Sequence, residues 1–325
     1  MATALAALMS MPHVPLAPHV TPIDEMTRLA DALGPGCPRL FIKRDDLLSF
    51  GLGGNKVRKM QTVAAEARAA GADVLITAGG LQSNHARVTA ATGAALGFRV
   101  VLVLNGTPEP PLRANAKLDE LFGAEIRPVA SREERDRTMA EVADEVRAAG
   151  GQPCVVPVGA STPTGALGFA RGVEELAATG LRPDVIVHAS SSAGTQAGLI
   201  AGCALFGLRP RVLGVSSDEP AASLAANVER LIAGMAERLG AKPSSIGGGG
   251  PPDVDDHHVG GGYGIPTPES TEALELVARR EGILLDPVYT AKAMAGLIAR
   301  VRAGEFSPET TLLFWHTGGQ IGYFA

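Results

Sequence analysis

Lys56 closes the run Gly51-Leu52-Gly53-Gly54-Asn55-Lys56, the first stretch with the makings of chemistry. Glycines let the backbone turn sharply and approach a ligand closely. A lysine at the opening of a helix faces the partly positive helix end, which predicts a lowered pKa and a nucleophilic amine. The competing reading is a surface lysine, which is how Lys43 and Lys59 read. A second stretch, Gly79-Gly80-Leu81-Gln82-Ser83-Asn84-His85, follows an apolar run ending at Thr77. Ser83 and Asn84 can cap a helix, but four consecutive hydrogen-bonding side chains exceed what a cap requires. The N–H groups of a helix start also hold carboxylates and phosphates. Residues 190–198 join hydroxyls, glycines and backbone amides into a cradle for a phosphate. They lack the Gly-Lys-Ser/Thr of a P-loop and the G-x-G-x-x-G spacing. Asp218 nevertheless stands where a ribose-binding acid would, so a dinucleotide site is the rival.

His316-Thr317-Gly318-Gly319, Tyr263 and Tyr289 complete the polar candidates; each tyrosine taken singly reads as half-buried core. Asp253, Asp255, Asp256, His257 and His258 read as a solvated loop and not a metal site, because sequence-adjacent ligands rarely converge on one ion without strain.

The elements that must position these groups alternate. Strands are expected at 41–43, 73–77, 99–104, 155–158, 185–188, 212–215 and 311–315. Helices are expected at 56–69, 83–96, 113–122, 133–149, 164–178, from 195, and at 223–239, with two more before the last strand. Alternating apolar strands and helices predict an α/β protein with parallel sheets covered on both faces. The polar stretches then fall at carboxyl ends of strands, where open α/β sheets bind ligands.

Length and composition narrow the class. The 325 residues amount to about two domains at roughly 150 residues each. With 46% hydrophobic and 19% charged residues the chain is not a disordered one. A net charge of −5 without a basic tract argues against a nucleic-acid partner. Three scattered cysteines (Cys37, Cys154, Cys203) fit neither a disulfide framework nor zinc. The apolar first twenty residues lack a positive n-region and are interrupted by Pro12, Pro15 and Pro18, unlike a secretory signal. Residues 185–208 are uncharged and long enough to span a bilayer, but their polar, glycine-containing middle reads instead as strand, turn and helix. No membrane association is expected, and the location is expected to be cytoplasmic.

In this order the motifs Phe41-Ile42-Lys43-Arg44-Asp45-Asp46, Gly53-Gly54-Asn55-Lys56, Gln82-Ser83-Asn84-His85, Ser192-Ala193-Gly194-Thr195, Gly262-Tyr263-Gly264, Asp286-Pro287-Val288-Tyr289 and His316-Thr317-Gly318-Gly319 closely resemble the D-cysteine desulfhydrase and 1-aminocyclopropane-1-carboxylate deaminase family. These are pyridoxal-phosphate enzymes of the tryptophan-synthase-β type (fold type II). The resemblance runs from about Leu40 to the C-terminus. It implies two open, twisted, mainly parallel sheets: a large cofactor domain from residues 1–58 plus 168–325, and a smaller α/β domain inserted at 59–167. It implies that Lys56 holds pyridoxal 5'-phosphate, that Asn84 bonds its phenolic oxygen, and that Ser192, Ala193, Gly194 and Thr195 bind its phosphate. Thr317 would face the pyridine nitrogen. Ser83, Asn84 and His85 would meet the carboxylate of a small amino acid substrate, with Tyr263 and Tyr289 bordering it; Ser83, Tyr263 and Tyr289 join Lys56 as catalytic candidates. It also implies a homodimer.

The expected reaction is α,β-elimination, with D-cysteine giving pyruvate, sulfide and ammonia. The ring-opening branch of the family resembles Val-Tyr-Glu, whereas this chain has Val288-Tyr289-Thr290. With Thr317 a neutral partner to the pyridine nitrogen the electron sink is weaker, which favours elimination of a good β-leaving group over ring opening. 1-Aminocyclopropane-1-carboxylate deamination and L-cysteate sulfo-lysis are the alternatives, and a nicotinamide-dinucleotide-binding protein the more distant one. Gln320-Ile321-Gly322-Tyr323-Phe324 and the glycine-rich residues 247–261 depart from the family pattern and are expected to border the substrate.

Overall fold

A computed structural model describes residues 1–16, 18–106 and 110–325. Its strands, in chain order, are β1 (Ile23–Glu25), β2 (Arg39–Arg44), β3 (Val74–Gly80), β4 (Arg99–Asn105), β5 (Glu125–Val129), β6 (Pro153–Val156), β7 (Val185–Ser190), β8 (Arg211–Ser216), β9 (Asp253–Asp255) and β10 (Thr311–His316). They form a six-stranded sheet ordered β1-β2-β10-β7-β8-β9 and a four-stranded sheet ordered β5-β4-β3-β6. Only β1–β2 is antiparallel among these pairings. The fold is therefore two mainly parallel sheets flanked by helices.

Side-chain alternation along each strand explains why both faces are covered. In the smaller sheet Val74, Ile76, Val101 and Val103 pack with Met139, Val142 and Val146 of helix Arg135–Ala148. Leu75, Leu102 and Leu104 face the other way, onto helices Asn55–Ala69 and Asn84–Leu96. In the larger sheet Phe41, Ile186, Leu313 and Trp315 meet helices Pro163–Arg171, Gly194–Leu205 and Ala221–Arg238. Ile42, Val187 and Phe314 meet helices Pro268–Glu281 and Thr290–Arg302. The smaller sheet draws only on residues 74–156, and the larger on 23–44 and 185–316. We propose the boundaries 59 and 167 for the inserted unit on that basis.

Several elements differ from the sequence expectation. β1, β5 and β9 are short edge strands with mixed or acidic composition and were not expected. Residues 164–178, expected as one helix, divide at Gly172, where a Cβ would lie 2.8 Å from Arg58 Nη1. Residues 185–208 divide into β7, a polar turn and the Gly194–Leu205 helix. Among the described residues no helix is long and apolar enough to cross a membrane.

Lys43, which read as a surface lysine, is fully buried. Its ammonium donates to Thr21 O at 2.6 Å and to Glu175 Oε2 at 2.5 Å. Glu175 also accepts from Arg58 Nη1 at 2.8 Å, and Arg58 binds Asp45 through Nε and Nη2 at 2.8 and 2.7 Å. Asp45 accepts further from Thr21 Oγ1 at 2.9 Å and Trp315 Nε1 at 2.8 Å. Burial would raise the Glu175 carboxyl, but the hydrogen bonds and charges of Arg58 and Lys43 outweigh it and hold it at about 2.

Removing one partner strands the others as uncompensated buried charges. Arg58→Met is expected to lower unfolding free energy by about 3–5 kcal/mol in denaturant titrations. Because the folded pKa of Glu175 lies below its unfolded value, its contribution is complete above about pH 4.5 and is lost as pH falls toward 2. The acid limb of stability should therefore flatten in Glu175→Gln.

Candidate active site

The chain turns at the carboxyl ends of β3, β7 and β10 meet around a cavity of about 330 Å³. Its wall includes Lys56, Ser83, Asn84, His85, Ser192, Ala193, Thr195, Tyr263, Tyr289 and Thr317. Six separate stretches of sequence thus converge on one space. Gly194 begins the helix between Ala193 and Thr195.

Lys56 is the second residue of helix Asn55–Ala69, held in place by backbone contact with the turn after β10. Gly54 has φ +95°, and a Cβ there would sit 2.9 Å from Thr317 O. Gly318 has φ +82°, with its Cβ position 2.7 Å from Gly54 Cα. At that distance the two backbones leave no room for a side chain on either residue. Asn55 N–H donates to Thr317 O at 3.0 Å and completes the contact. The Asn55 carboxamide accepts from Lys56 Nζ at 3.1 Å and donates to Thr195 Oγ1 at 2.8 Å. It thus links the amine to the start of the Gly194–Leu205 helix.

The Lys56 pKa is lowered to about 8. The main cause is burial against the cavity wall; the Asp286 charge opposes it and Arg87 adds to it. The lowering expected from the sequence is present, but desolvation is its leading cause in place of the helix end.

The Ser83 Oγ caps its helix, accepting from Ala86 N–H at 3.2 Å. Asn84 Oδ1 accepts from Asn115 Nδ2 at 3.0 Å and from Arg87 Nη2 at 3.4 Å. Both neighbours are donors, so the Asn84 amide NH2 is left to bond elsewhere. His85 is buried, and its Nε2 lies 2.8 Å from Thr77 Oγ1, whose hydroxyl proton goes to Val156 O. That arrangement puts the imidazole proton on Nε2 and leaves Nδ1 as a buried acceptor with no partner among the described residues. Burial, with the nearby Lys56 and Lys59 charges, holds the His85 pKa well below its usual value, so the ring is neutral.

Across the 190–195 turn the packing is close. A Cβ on Gly194 would lie 2.7 Å from Ser161 Oγ and 2.8 Å from Lys59 Nζ; one on Gly159 would lie 2.2 Å from Ser192 Oγ. Lys59, expected at the surface, is fully buried with Nζ 3.1 Å from Gly159 O and 3.4 Å from Ser161 Oγ. No carboxylate pairs with it among the described residues, and burial together with Lys56 drives its pKa well down. A buried lysine without a counter-charge, beside free helix-start N–H groups, is suited to an anion, whose charge would favour its ammonium form.

Tyr263 and Tyr289 share a 2.5 Å OH···OH contact with rings 5.8 Å apart at 69°. Their rings line the cavity together, with Tyr263 at the exposed rim and not in the core. Burial raises both phenol pKa values, so both stay protonated. Buried Asp286 fixes Tyr289 by accepting from the N–H groups of 288, 289 and 290 at 3.0, 2.9 and 2.7 Å. Thr290 turns its hydroxyl to Asp286 at 2.7 Å and does not reach the cavity.

The two family departures are corrected by the structure: neither residues 320–324 nor residues 247–261 line the cavity. Gly247–Gly250 border a separate depression near Ile200 and Arg211. Asp253 pairs with Arg211 at 2.5 Å and Asp255 with Arg300 at 2.8 Å. Asp218, the rival ribose acid, lines the cavity with its carboxylate 3.4 Å from Arg132.

Sequence reasoning did not single out Asn55, Lys59, Asn115, Asp286, Arg132 or Arg135. For Lys59 a signal existed, since it lies three residues after Lys56 on the same helical face. The others are brought in by tertiary packing alone.

Residues 14–318 match the family described as pyridoxal-phosphate dependent enzyme. The chain is 38% identical to a D-cysteine desulfhydrase of Yersinia enterocolitica, over 98% of this chain and 97% of that protein. It is 37% identical to a D-cysteine desulfhydrase of Serratia proteamaculans with the same coverage. A crystal structure described as an ACC deaminase homologue superimposes with a TM-score of 0.91 at 37% identity, covering 100% of this chain and 97% of the other.

The lowered Lys56 pKa is measurable directly. In cofactor-free protein, the pH profile of reductive methylation at Lys56, read by peptide mass, should have its midpoint near 8, against about 10.4 for an ordinary lysine.

Proposed function

The chain belongs to the pyridoxal-phosphate-dependent enzymes, and from that premise we propose that it is a lyase that eliminates the β-substituent of a small amino acid, with D-cysteine giving pyruvate, sulfide and ammonia. The observation that carries this reading is one cavity holding both a lysine with a pKa of about 8 and a helix start backed by the carboxylate-free cation Lys59. The residues fit the cofactor: a tight glycine cradle, a buried cation without a counter-charge, and an amide NH2 left over on Asn84. Lys56 would hold its aldehyde carbon, Ser192–Thr195 and Lys59 its phosphate, Asn84 its phenolic oxygen and Thr317 its ring nitrogen. When bound, pyridoxal phosphate supplies the sink for electrons released at the α-carbon.

The chain's own residues supply the rest. At neutral pH a useful fraction of Lys56 is free amine and can take the proton from the α-carbon. Ser83, Asn84 and the neutral His85, at the start of one helix, would receive the substrate carboxylate, which is favoured by the free N–H groups there. The protonated Tyr263–Tyr289 pair can donate a proton to a departing thiolate. Thr317 offers the ring a neutral hydroxyl and Asp286 is engaged by backbone amides, so neither protonates it strongly, which supports elimination over ring opening. The reading carries with it a cytoplasmic homodimer, in keeping with three free thiols.

Purified protein should release pyruvate and sulfide from D-cysteine in a panel of D- and L-amino acids bearing β-leaving groups. Lys56→Ala should lower kcat by at least about 10²–10⁴-fold, the range of a general base. Borohydride reduction should fix the cofactor on Lys56 in peptide mass maps; capture at another lysine refutes the site.

A further inference from the structure

Tyr263 stands on a segment with little structure of its own. Between residues 256 and 265 the backbone bonds to itself only at long range: Val259 N–H to Asp256 O and Gly262 N–H to Val259 O at 3.4 Å, and Ile265 N–H to Gly262 O at 3.3 Å. Hydrogen bonds of that length are weak. The segment is held instead by one face of helix Thr290–Arg302, which it follows in the reverse direction. Positions 292, 296 and 300 share that face because they are four residues apart, and Tyr289 stands three residues before the first. Arg300 Nη2 donates to Asp255 Oδ2 at 2.8 Å. Gly296 leaves room for His258, whose Cδ2 would lie 3.1 Å from a Cβ there. Lys292 Nζ donates to Val259 O and to Gly262 O, each at 2.8 Å. Tyr289 and Tyr263 then meet through their hydroxyls at 2.5 Å.

Lys292 is the centre of this arrangement. It is fully buried and does not line the cavity. Its third donor goes to Ser217 O at 3.1 Å. An ammonium has three N–H groups and no acceptor, so three carbonyl oxygens use it completely. Two of those carbonyls stand directly before residues of the cavity wall, Ser217 before Asp218 and Gly262 before Tyr263. Asp218 in turn lies 3.4 Å from Arg132, whose guanidinium stands 5.8 Å from the Tyr263 ring centre. Movement of the ammonium would reach the Tyr263 phenol by both routes.

We propose that Lys292 is a positioning residue, outside the cavity, that seats the Tyr263 hydroxyl against that of Tyr289 so that the pair can deliver a proton to the leaving sulfur. The proposal rests on the β-elimination reading and names what its leaving-group step depends on. In that step the Cβ–S bond breaks with its electron pair on sulfur, and the thiolate takes a proton from the phenol pair. Chloride on the same carbon leaves with its electron pair as a stable anion and needs no proton.

The choice of leaving group separates positioning from general damage. Lys292→Met fills similar space without a donor. In holoenzyme it should lower kcat for D-cysteine about 10–100-fold, part of what proton delivery contributes, and leave β-chloro-D-alanine within about twofold. Lys292→Gln keeps two of the three donors, so its loss on D-cysteine should be smaller; it decides the matter if Lys292→Met does not fold. Equal losses on the two substrates overturn the proposal, and so does an unchanged D-cysteine rate. Hydrogen exchange reads the seat without turnover. In either variant the amides of residues 256–265 should exchange at least about tenfold faster, while the helix starts at Lys56 and Asn84 keep their protection. Unaltered exchange in 256–265, or acceleration throughout the chain, refutes the seat. If neither amino acid releases a 2-oxoacid, the elimination reading fails, while exchange still decides whether Lys292 holds the segment of Tyr263.

Discussion

Asp45 fixes the position of the helix that carries the reactive amine. Its carboxylate accepts four hydrogen bonds, from Thr21, twice from Arg58 and from Trp315, while its backbone carbonyl accepts from Gly54 N–H at 3.1 Å. Arg58 belongs to the same helix as Lys56 and Lys59, and Trp315 to the central strand β10. Ionised groups withdrawn from water are costly unless every donor and acceptor is met, so this knot tolerates little displacement. The helix start is thereby pinned against the Thr317–Gly318 turn with glycine-only clearance. Placement of the amine follows from electrostatics deep in the core more than from the loop around it.

With that frame fixed, the site uses lysines in two ways. Lys56, half-buried and facing open space, loses part of its charge and becomes basic and nucleophilic near neutral pH. Lys59, one turn away and fully enclosed, has donors pointed at a carbonyl and a hydroxyl. Asn55 joins the two ends of the site by accepting at one end of its amide and donating at the other.

Much of this was legible in the sequence, for identifiable reasons. Buried parallel strands read as apolar runs, and helix starts announce themselves by Ser, Asn and Gly, so β2, β3, β7, β10 and the motifs at their ends were found. β1, β5 and β9 escaped because three to five residues at a sheet edge carry no periodicity: Asp253-Val254-Asp255 reads as an acidic loop. Lys43 was misplaced because a lone cation in a strand pattern ordinarily lies in water, and nothing local shows that Glu175 waits 132 residues away, whereas Lys59 was passed over although it shares a helical face with Lys56. Arg132 lies just before, and Arg135 at the start of, the helix expected at 133–149, in a stretch whose charges read as solvated. Only the packing of β5 beside β4 brings that turn over the cavity.

The Gly159–Ser161 segment, beyond the last strand of the smaller sheet, touches the Ser192–Gly194 turn of the larger one, with Lys59 enclosed between them. An unloaded copy keeps a flaw at its centre, two lysines on one helix whose protonation is disfavoured for want of an answering anion. An occupant that cancels the flaw stabilises the native state by mass action, since the unfolded chain has no such cradle. Cellular proteases act on transiently opened molecules, so vitamin supply would set how long each copy survives as well as how many are active.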